Sequence, residues 1–301
     1  MRIGLTARGT TAEEIVAQAT EAERDGFSSL WFGHLLLGDP LVPIALAGRA
    51  TSSIELGTAV LQTYPCHPLL QANRASSVAA GMGRPGFTLG VGPSHEHVVT
   101  SVYGLSYDHP GRNTEEYVRV LTALLRGEDV DRQGDDWGVR SPNRMVVPPH
   151  RVRVLLGALS PRLLRVAGEC TDGTILWLAT ATAIESHIEP RLRAAAAGGE
   201  RRIVAGLPVA VHHDVSEARE AAAASSGRLD SVPSYRRILG IGGSRSAADA
   251  AIVGTAGSVH RQLQALVDAG ASDVWAGILP VGDDAEGSYR RTYEVLAELL
   301  G

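Results

Sequence analysis

The feature that most limits how this chain can fold is an alternation sustained along its whole length. Short apolar runs of β character recur between amphipathic helical segments. RIGLTA (2–7) comes first, followed by a helix from about Thr11 to Asp25 with a capping box, Thr11 and Glu14, and a stop at Gly26. SLWFGH (29–34), a helix near Pro43 to Thr51, IELGTAV (54–60), a helix near Leu69 to Met82, FTLGVG (87–92) and a helix Asn113 to Arg126 complete the first half. The second half runs through RVLLGA (153–158), the helix Pro161 to Glu169, GTILWLA (173–179), a helix near Ala183 to Ala197 and RIVAGLPVAVH (202–212). Helices near Ser216 to Ala224 and Ser258 to Ala269, the run DVWAGIL (273–279) and a closing helix to Leu300 end it.

Strands that are apolar on nearly every residue are covered on both faces, and strands separated by helices pair in parallel. Eight is the number that closes on itself. The expected fold is therefore α/β, a (β/α)8 TIM barrel with insertions, with a doubly wound open sheet as the alternative. Residues 1–301 are expected to form a single domain. Two segments depart from the pattern: a polar, proline-containing excursion at 127–150 with room for a small hairpin, and a less regular stretch at 227–253.

Composition removes several functions. All 28 basic residues are arginine, so a Schiff-base lysine, pyridoxal phosphate chemistry and a P-loop lysine are excluded. The formal charge of −5 lacks the basic excess that a nucleic-acid surface requires. The two cysteines, Cys66 and Cys170, have no metal-ligand spacing and read as buried thiols, and no metal site is expected. No apolar run is long enough to span a membrane, and the chain opens on MRIGLTA without the pattern of a secretory leader. A cytoplasmic protein with no nucleic-acid or membrane partner is the expectation.

In a barrel of this kind the chemistry lies on the loops after the strands. FTLGVGPSH is the most informative of these tips. An apolar strand ends in Gly92, Pro93, Ser94 and His95, where a ligand can reach bare main chain. LLGALSPRLL has a similar build: Gly157, Ala158 and Leu159 lead to a helix with Ser160 as N-cap and Pro161 at its first position. The amides of that helix start favour an anion such as phosphate; the plain alternative is that Ser160 only caps the helix. ELGTAVLQ passes through Ala59 and Val60 with the look of a bulge, against which stands an ordinary strand end. His34 ends the second strand, where an imidazole can exchange protons with a substrate or serve the core. These small, backbone-rich tips suit a planar, extended ligand better than a metal.

Together, SLWFGH, IELGTAVLQTYPCHP, FTLGVGPSH, YGLSYDHPGRNTEEYVRVLTALLRG, VLLGALSPRLLRVAGECTDGTILWLA and GTAGSVHRQLQALVDAGASDV resemble the luciferase-like monooxygenase superfamily, and within it the branch dependent on the deazaflavin coenzyme F420. The resemblance implies a barrel with insertions, a homodimer, and an oxidoreductase transferring a hydride between the deazaflavin and a small organic substrate. It implies a non-prolyl cis peptide at Ala59–Val60 behind the deazaflavin ring, and coenzyme contacts from Gly92, Pro93, Ser94 and His95 and from Gly157, Ala158, Leu159 and Ser160. His34 matches a histidine proposed to handle the proton, and Trp177 would shape the substrate side. Relatives that oxidise sugar phosphates carry a glutamate where this chain has His95, and lysines on the substrate phosphate. This chain has neither, which argues against a sugar phosphate. An FMN-dependent monooxygenase shares the fold and is one rival; a coenzyme-binding protein without catalysis is the other.

Overall fold

The computed structural model of the chain describes residues 1–33, 38–141 and 148–300. In chain order the first half comprises β1 (Ile3–Thr6), α1 (Ala12–Arg24), β2 (Ser29–Phe32), α2 (Leu41–Ala50), β3 (Glu55–Thr58), the short β4 (Leu61–Gln62), α3 (Pro68–Met82), β5 (Phe87–Gly92) and α4 (Pro110–Leu125). A hairpin, β6 (Val130–Gln133) with β7 (Gly138–Ser141), stands apart from the main sheet within the expected excursion. Then come β8 (Arg153–Leu156), α5 (Pro161–Cys170), β9 (Gly173–Trp177), α6 (Ala181–Ala183), α7 (Glu189–Ala195) and β10 (Arg202–Val211). The chain finishes with α8 (Val215–Ser226), α9 (Pro233–Ile241), α10 (Ala247–Ala250), β11 (Ile252–Gly254), α11 (Ala256–Asp268), β12 (Asp273–Ile278) and α12 (Ala285–Glu298).

Eight of these strands close into a parallel barrel in the order β1, β2, β3, β5, β8, β9, β10, β12 and back to β1. Closure is made by β9 on β10, Arg202 beside Gly173, and by β12 on β1, Val274 beside Ile3. An open sheet is thereby ruled out. Short β4 continues β3 after a break and pairs with the end of β5, Leu61 beside Val91 and Gln62 beside Gly92. At the break lies a non-prolyl cis bond, Ala59–Val60, at the position the family resemblance implied.

Local chemistry explains the helix starts. Thr11 caps α1 and exchanges bonds with Glu14 in a full capping box, and the Ser160 hydroxyl accepts from the amide of Leu163 at 3.3 Å to cap α5. The segment 227–253, expected to be less regular, builds α9, α10 and β11, the last pairing in parallel beside the end of β10, Val209 next to Ile252. Its helical face, Tyr235, Ile238 and Leu239, packs inward, and tertiary burial outweighs the glycines that follow.

The barrel interior has two layers below the site. The floor is charged: the Arg202 guanidinium binds Glu55 at 2.7 Å and Asp273 at 2.9 Å, while Arg2 reaches Asp273 at 2.7 Å and Glu55 at 3.2 Å. Above it Trp31, Leu155, Ile175, Val204 and Trp275 form a cluster separate from the larger core under the helices. Strand glycines make room for the indoles. A Cβ on Gly57 would lie 2.3 Å from the Trp31 ring, and one on Gly206 would lie 2.3 Å from that of Trp275. A plugged interior leaves the upper ends of the strands as the place where a ligand enters.

Candidate active site

The upper rim brings together the tips singled out in the sequence. After the cis bond, Val60 leans across β5 and β8. A Cβ on Gly92 would meet its Cγ2 at 2.9 Å, and one on Gly157 would meet both of its methyl groups at 3.7 Å. Ala59, Val60, Gly92 and Gly157 thus share one wall, and only residues without a side chain fit opposite Val60 at the closest point. Thr58 locks this wall to β5, its hydroxyl donating to the Gly90 carbonyl at 2.7 Å and accepting from the Gly90 amide at 2.9 Å.

Beyond Gly92 the chain turns through Pro93 to Ser94, which holds the left-handed conformation at φ 65°. Leu178, just past β9, does the same at φ 62°. Such residues cost free energy and concentrate at binding sites, and here both stand just past the ends of barrel strands, Leu178 with its side chain buried in the core. The Tyr107 hydroxyl donates to the Ser94 carbonyl at 3.0 Å, and its ring packs on Tyr64 with centroids 5.3 Å apart. Burial pushes the Tyr107 hydroxyl up to about 12, so it remains a donor at neutral pH. His95, half-buried, faces Tyr235 of α9 with ring centroids 5.7 Å apart. Desolvation lowers its pKa below the usual histidine value and favours the neutral imidazole.

The tip Gly157 to Ser160 is equally well fixed. The Gly157 amide donates to the Val91 carbonyl at 2.8 Å, and the buried His187 imidazole donates through Nε2 to the Leu159 carbonyl at 3.0 Å. Ala158, between Gly157 and Leu159, is fully buried. Trp177 packs on Trp275 at 4.8 Å and lines a cleft of about 220 Å³ with Thr6, Arg8, Pro208, Gly277 and Ile278. The Trp275 indole donates to the Thr6 hydroxyl at 2.7 Å. His34 lies outside the described residues, directly after Gly33 at the end of β2.

The residues fit a planar cofactor with a polar edge. A glycine-lined cradle faces a branched apolar side chain, and Gln62, paired with Gly92 on the same strand face, has a buried Oε1 without a partner among the described residues. No group of three or more histidine, cysteine or acidic side chains able to hold a metal occurs among them, and Cys66 and Cys170 are free thiols, the first buried and the second half-buried. No helix among them is long and apolar enough to cross a membrane. Sequence reasoning missed Arg8, which follows the tip of β1 and is set by Tyr289 far along the chain, and Tyr107 and Tyr235, which reach the rim through packing from outside the strand tips.

Comparison with known proteins agrees with this geometry. A 5,10-methylenetetrahydromethanopterin reductase of Methanolobus tindarius is 29% identical over 164 residues, 54% of this chain and about half, 49%, of that relative's length. Among solved structures, an F420-dependent secondary alcohol dehydrogenase in complex with an F420-acetone adduct superposes with a TM-score of 0.79 at 18% identity, covering 99% of this chain and 97% of the other. The oxygenating constituent of 3,6-diketocamphane monooxygenase from Pseudomonas putida, in complex with FMN, gives a TM-score of 0.75 at 15% identity, covering 100% and 97%. At these identities the two structures speak for the fold. The family model of the luciferase-like monooxygenases matches residues 2–273, and with the closed barrel this places the chain in the luciferase-like monooxygenase family.

Proposed function

We propose that this protein is an oxidoreductase that binds the deazaflavin coenzyme F420 and passes a hydride between it and a small organic substrate. The observation that carries the reading is the wall in which Val60 faces Gly92, where an added methyl would come within 2.9 Å of it, and Gly157, where one would be in ordinary contact at 3.7 Å. When bound, the coenzyme supplies the hydride. Ala59 and Val60 back its ring, while Gly92, Pro93, Ser94 and His95 and the tip Gly157, Ala158, Leu159 and Ser160 hold its ribityl and phosphate portion. In the first turn of α5 Pro161 has no N–H and the Leu163 amide donates to Ser160 Oγ, so the Arg162 amide and the helix dipole are what that turn offers the anion. Below the ring, the tryptophan layer and the ion-paired floor keep water out. His34 handles the proton at the substrate, and Trp177 shapes the substrate side of the cleft. The F420-dependent alcohol dehydrogenase supports the deazaflavin; the FMN-bound neighbour supports an FMN-dependent monooxygenase as second reading.

A homodimer is part of the same proposal. Exposed Val42 and Leu46 on α2 and Leu70 on α3, at 65%, 46% and 54%, supply an apolar surface on adjacent helices. The catalytic reading is tested by following deazaflavin absorbance without oxygen against a panel of alcohols, aldehydes and enones. Bleaching or recovery with one of them is the expected result. Oxygen consumption dependent on FMN would favour the monooxygenase, and tight coenzyme binding without turnover on any member would favour a non-catalytic carrier.

A further inference from the structure

We propose that the cleft beside Trp177 accepts a substrate carrying a carboxylate on a small apolar body, with Arg8 as the residue that selects the charge. This inference rests on the reading of the rim as a coenzyme and substrate site. Most of the cleft wall is apolar, from Trp177, Pro208, Ile278 and Leu279, and Arg8 is the one charged side chain among the described residues that line it. A single cation in an apolar cleft matches a monoanion. A phosphate dianion would call for a second cation, and none lines the cleft among those residues.

Arg8 is held in place but not used up. Its backbone amide donates to Gln18 Oε1 at 2.8 Å, and Gln18 in turn donates to the Thr6 carbonyl at 3.1 Å, which pins the loop after β1. Its guanidinium lies over the Tyr289 ring, 3.7 Å from the centroid. The plane of the fork is therefore set before a ligand arrives, and little side-chain freedom is lost on binding. Its carboxylate neighbour is Glu286 at 3.8 Å, beyond hydrogen-bond distance and 75% exposed. Two other arginines are more tightly engaged: Arg202 binds two buried carboxylates, and Arg84 donates to three backbone carbonyls and the Thr51 hydroxyl. Among the described residues no hydrogen bond engages the Arg8 guanidinium, which leaves N–H donors at the mouth of the cleft. Thr6 adds a neutral donor beside it, because its hydroxyl oxygen accepts from Trp275 and its own proton remains available.

The test uses phenylacetate and its neutral isostere phenylacetamide, titrated into the protein with and without saturating deazaflavin and followed by quenching of tryptophan fluorescence. The wild type is expected to prefer the carboxylate by about tenfold, the scale of one charge-assisted hydrogen bond. Arg8→Gln should bring the two probes to within about twofold, and Arg8→Lys should restore part of the preference. Both variants should bind the deazaflavin like the wild type. No carboxylate preference in the wild type, or one that survives in Arg8→Gln, overturns the assignment. A loss of deazaflavin affinity in Arg8→Gln overturns it too, because Arg8 would then serve the coenzyme. Wild-type protein that ignores the deazaflavin but still prefers phenylacetate would sink the coenzyme reading and leave the role of Arg8 in place.

Discussion

Three glycine substitutions probe the proposed coenzyme wall at graded distances. In Gly92→Ala the new methyl would sit 2.9 Å from Val60 Cγ2, inside the 3.4 Å at which ordinary contact begins, so Val60 has to move into the space assigned to the ring. Overpacking of this kind costs about 1–3 kcal/mol. At roughly 2 °C per kcal/mol for a chain of this size, the melting temperature should fall by about 2–6 °C. In Gly90→Ala the methyl would lie 2.0 Å from the Thr58 carbonyl oxygen, a backbone atom held by the β3 and β5 pairing, and the loss should exceed about 4 kcal/mol. Gly240→Ala is the control. It lies in α9 with nothing within 4 Å of the new methyl, and helix propensity alone should stabilise it by up to about 1 kcal/mol. Scanning calorimetry gives the stabilities, and quenching of deazaflavin fluorescence gives the affinities. Gly92→Ala is expected to weaken the deazaflavin by about tenfold or more, with Gly240→Ala unchanged. A folded Gly92→Ala that binds the coenzyme as tightly as the wild type would refute the placement of the ring against this wall.

Further predictions concern the floor, the proton and the assembly. Arg202→Met strands Asp273 and Glu55 with only the more exposed Arg2 and should cost about 3 kcal/mol in urea unfolding at pH 7, where no measurable loss would contradict a structural role. Burial raises the pKa of Asp273, but its bonds to Arg202, Arg2 and Ser272 outweigh that and hold it below its ordinary 3.8. The stability it contributes is thus complete above 3.8 and disappears as pH falls through the lower folded value, so wild type and Arg202→Met should converge in acid. His34→Ala should reduce turnover by about 100-fold or more, the range of general acid–base catalysis, while coenzyme affinity is nearly unchanged; undiminished turnover would remove the assignment. Leu46→Asp should shift the protein from dimer to monomer in sedimentation, and a wild-type monomer at the same concentration would exclude this dimer.

The barrel was legible because its strands are covered on both faces. Runs such as FTLGVG and GTILWLA carry no polar alternation to confuse them with edge strands, and helix caps such as Thr11 and Ser160 mark where each helix starts. The glycine tips at Gly92 and Gly157 were readable for the same local reason. The stretch containing α9 was not, since Gly240, Gly242 and Gly243 weaken the helical signal that burial of Ile238 and Leu239 restores. Arg8 and Tyr235 illustrate a different limit. Arg8 matters because Tyr289, far along the chain, lies beneath it, and Tyr235 because α9 carries it to His95. No spacing in the sequence encodes those meetings. The cis bond at Ala59–Val60 was legible only through family resemblance, as nothing in the residue types there distinguishes it from a plain strand end.

The central claim is that the Val60 wall is built for a deazaflavin. Parallel titration of the purified protein with F420 and with FMN, each followed by its own fluorescence, tests it most directly. Saturable binding of F420 at least about tenfold tighter than FMN, weakened by Gly92→Ala, is the predicted result. Tighter binding of FMN, or no saturable binding of F420, would contradict it.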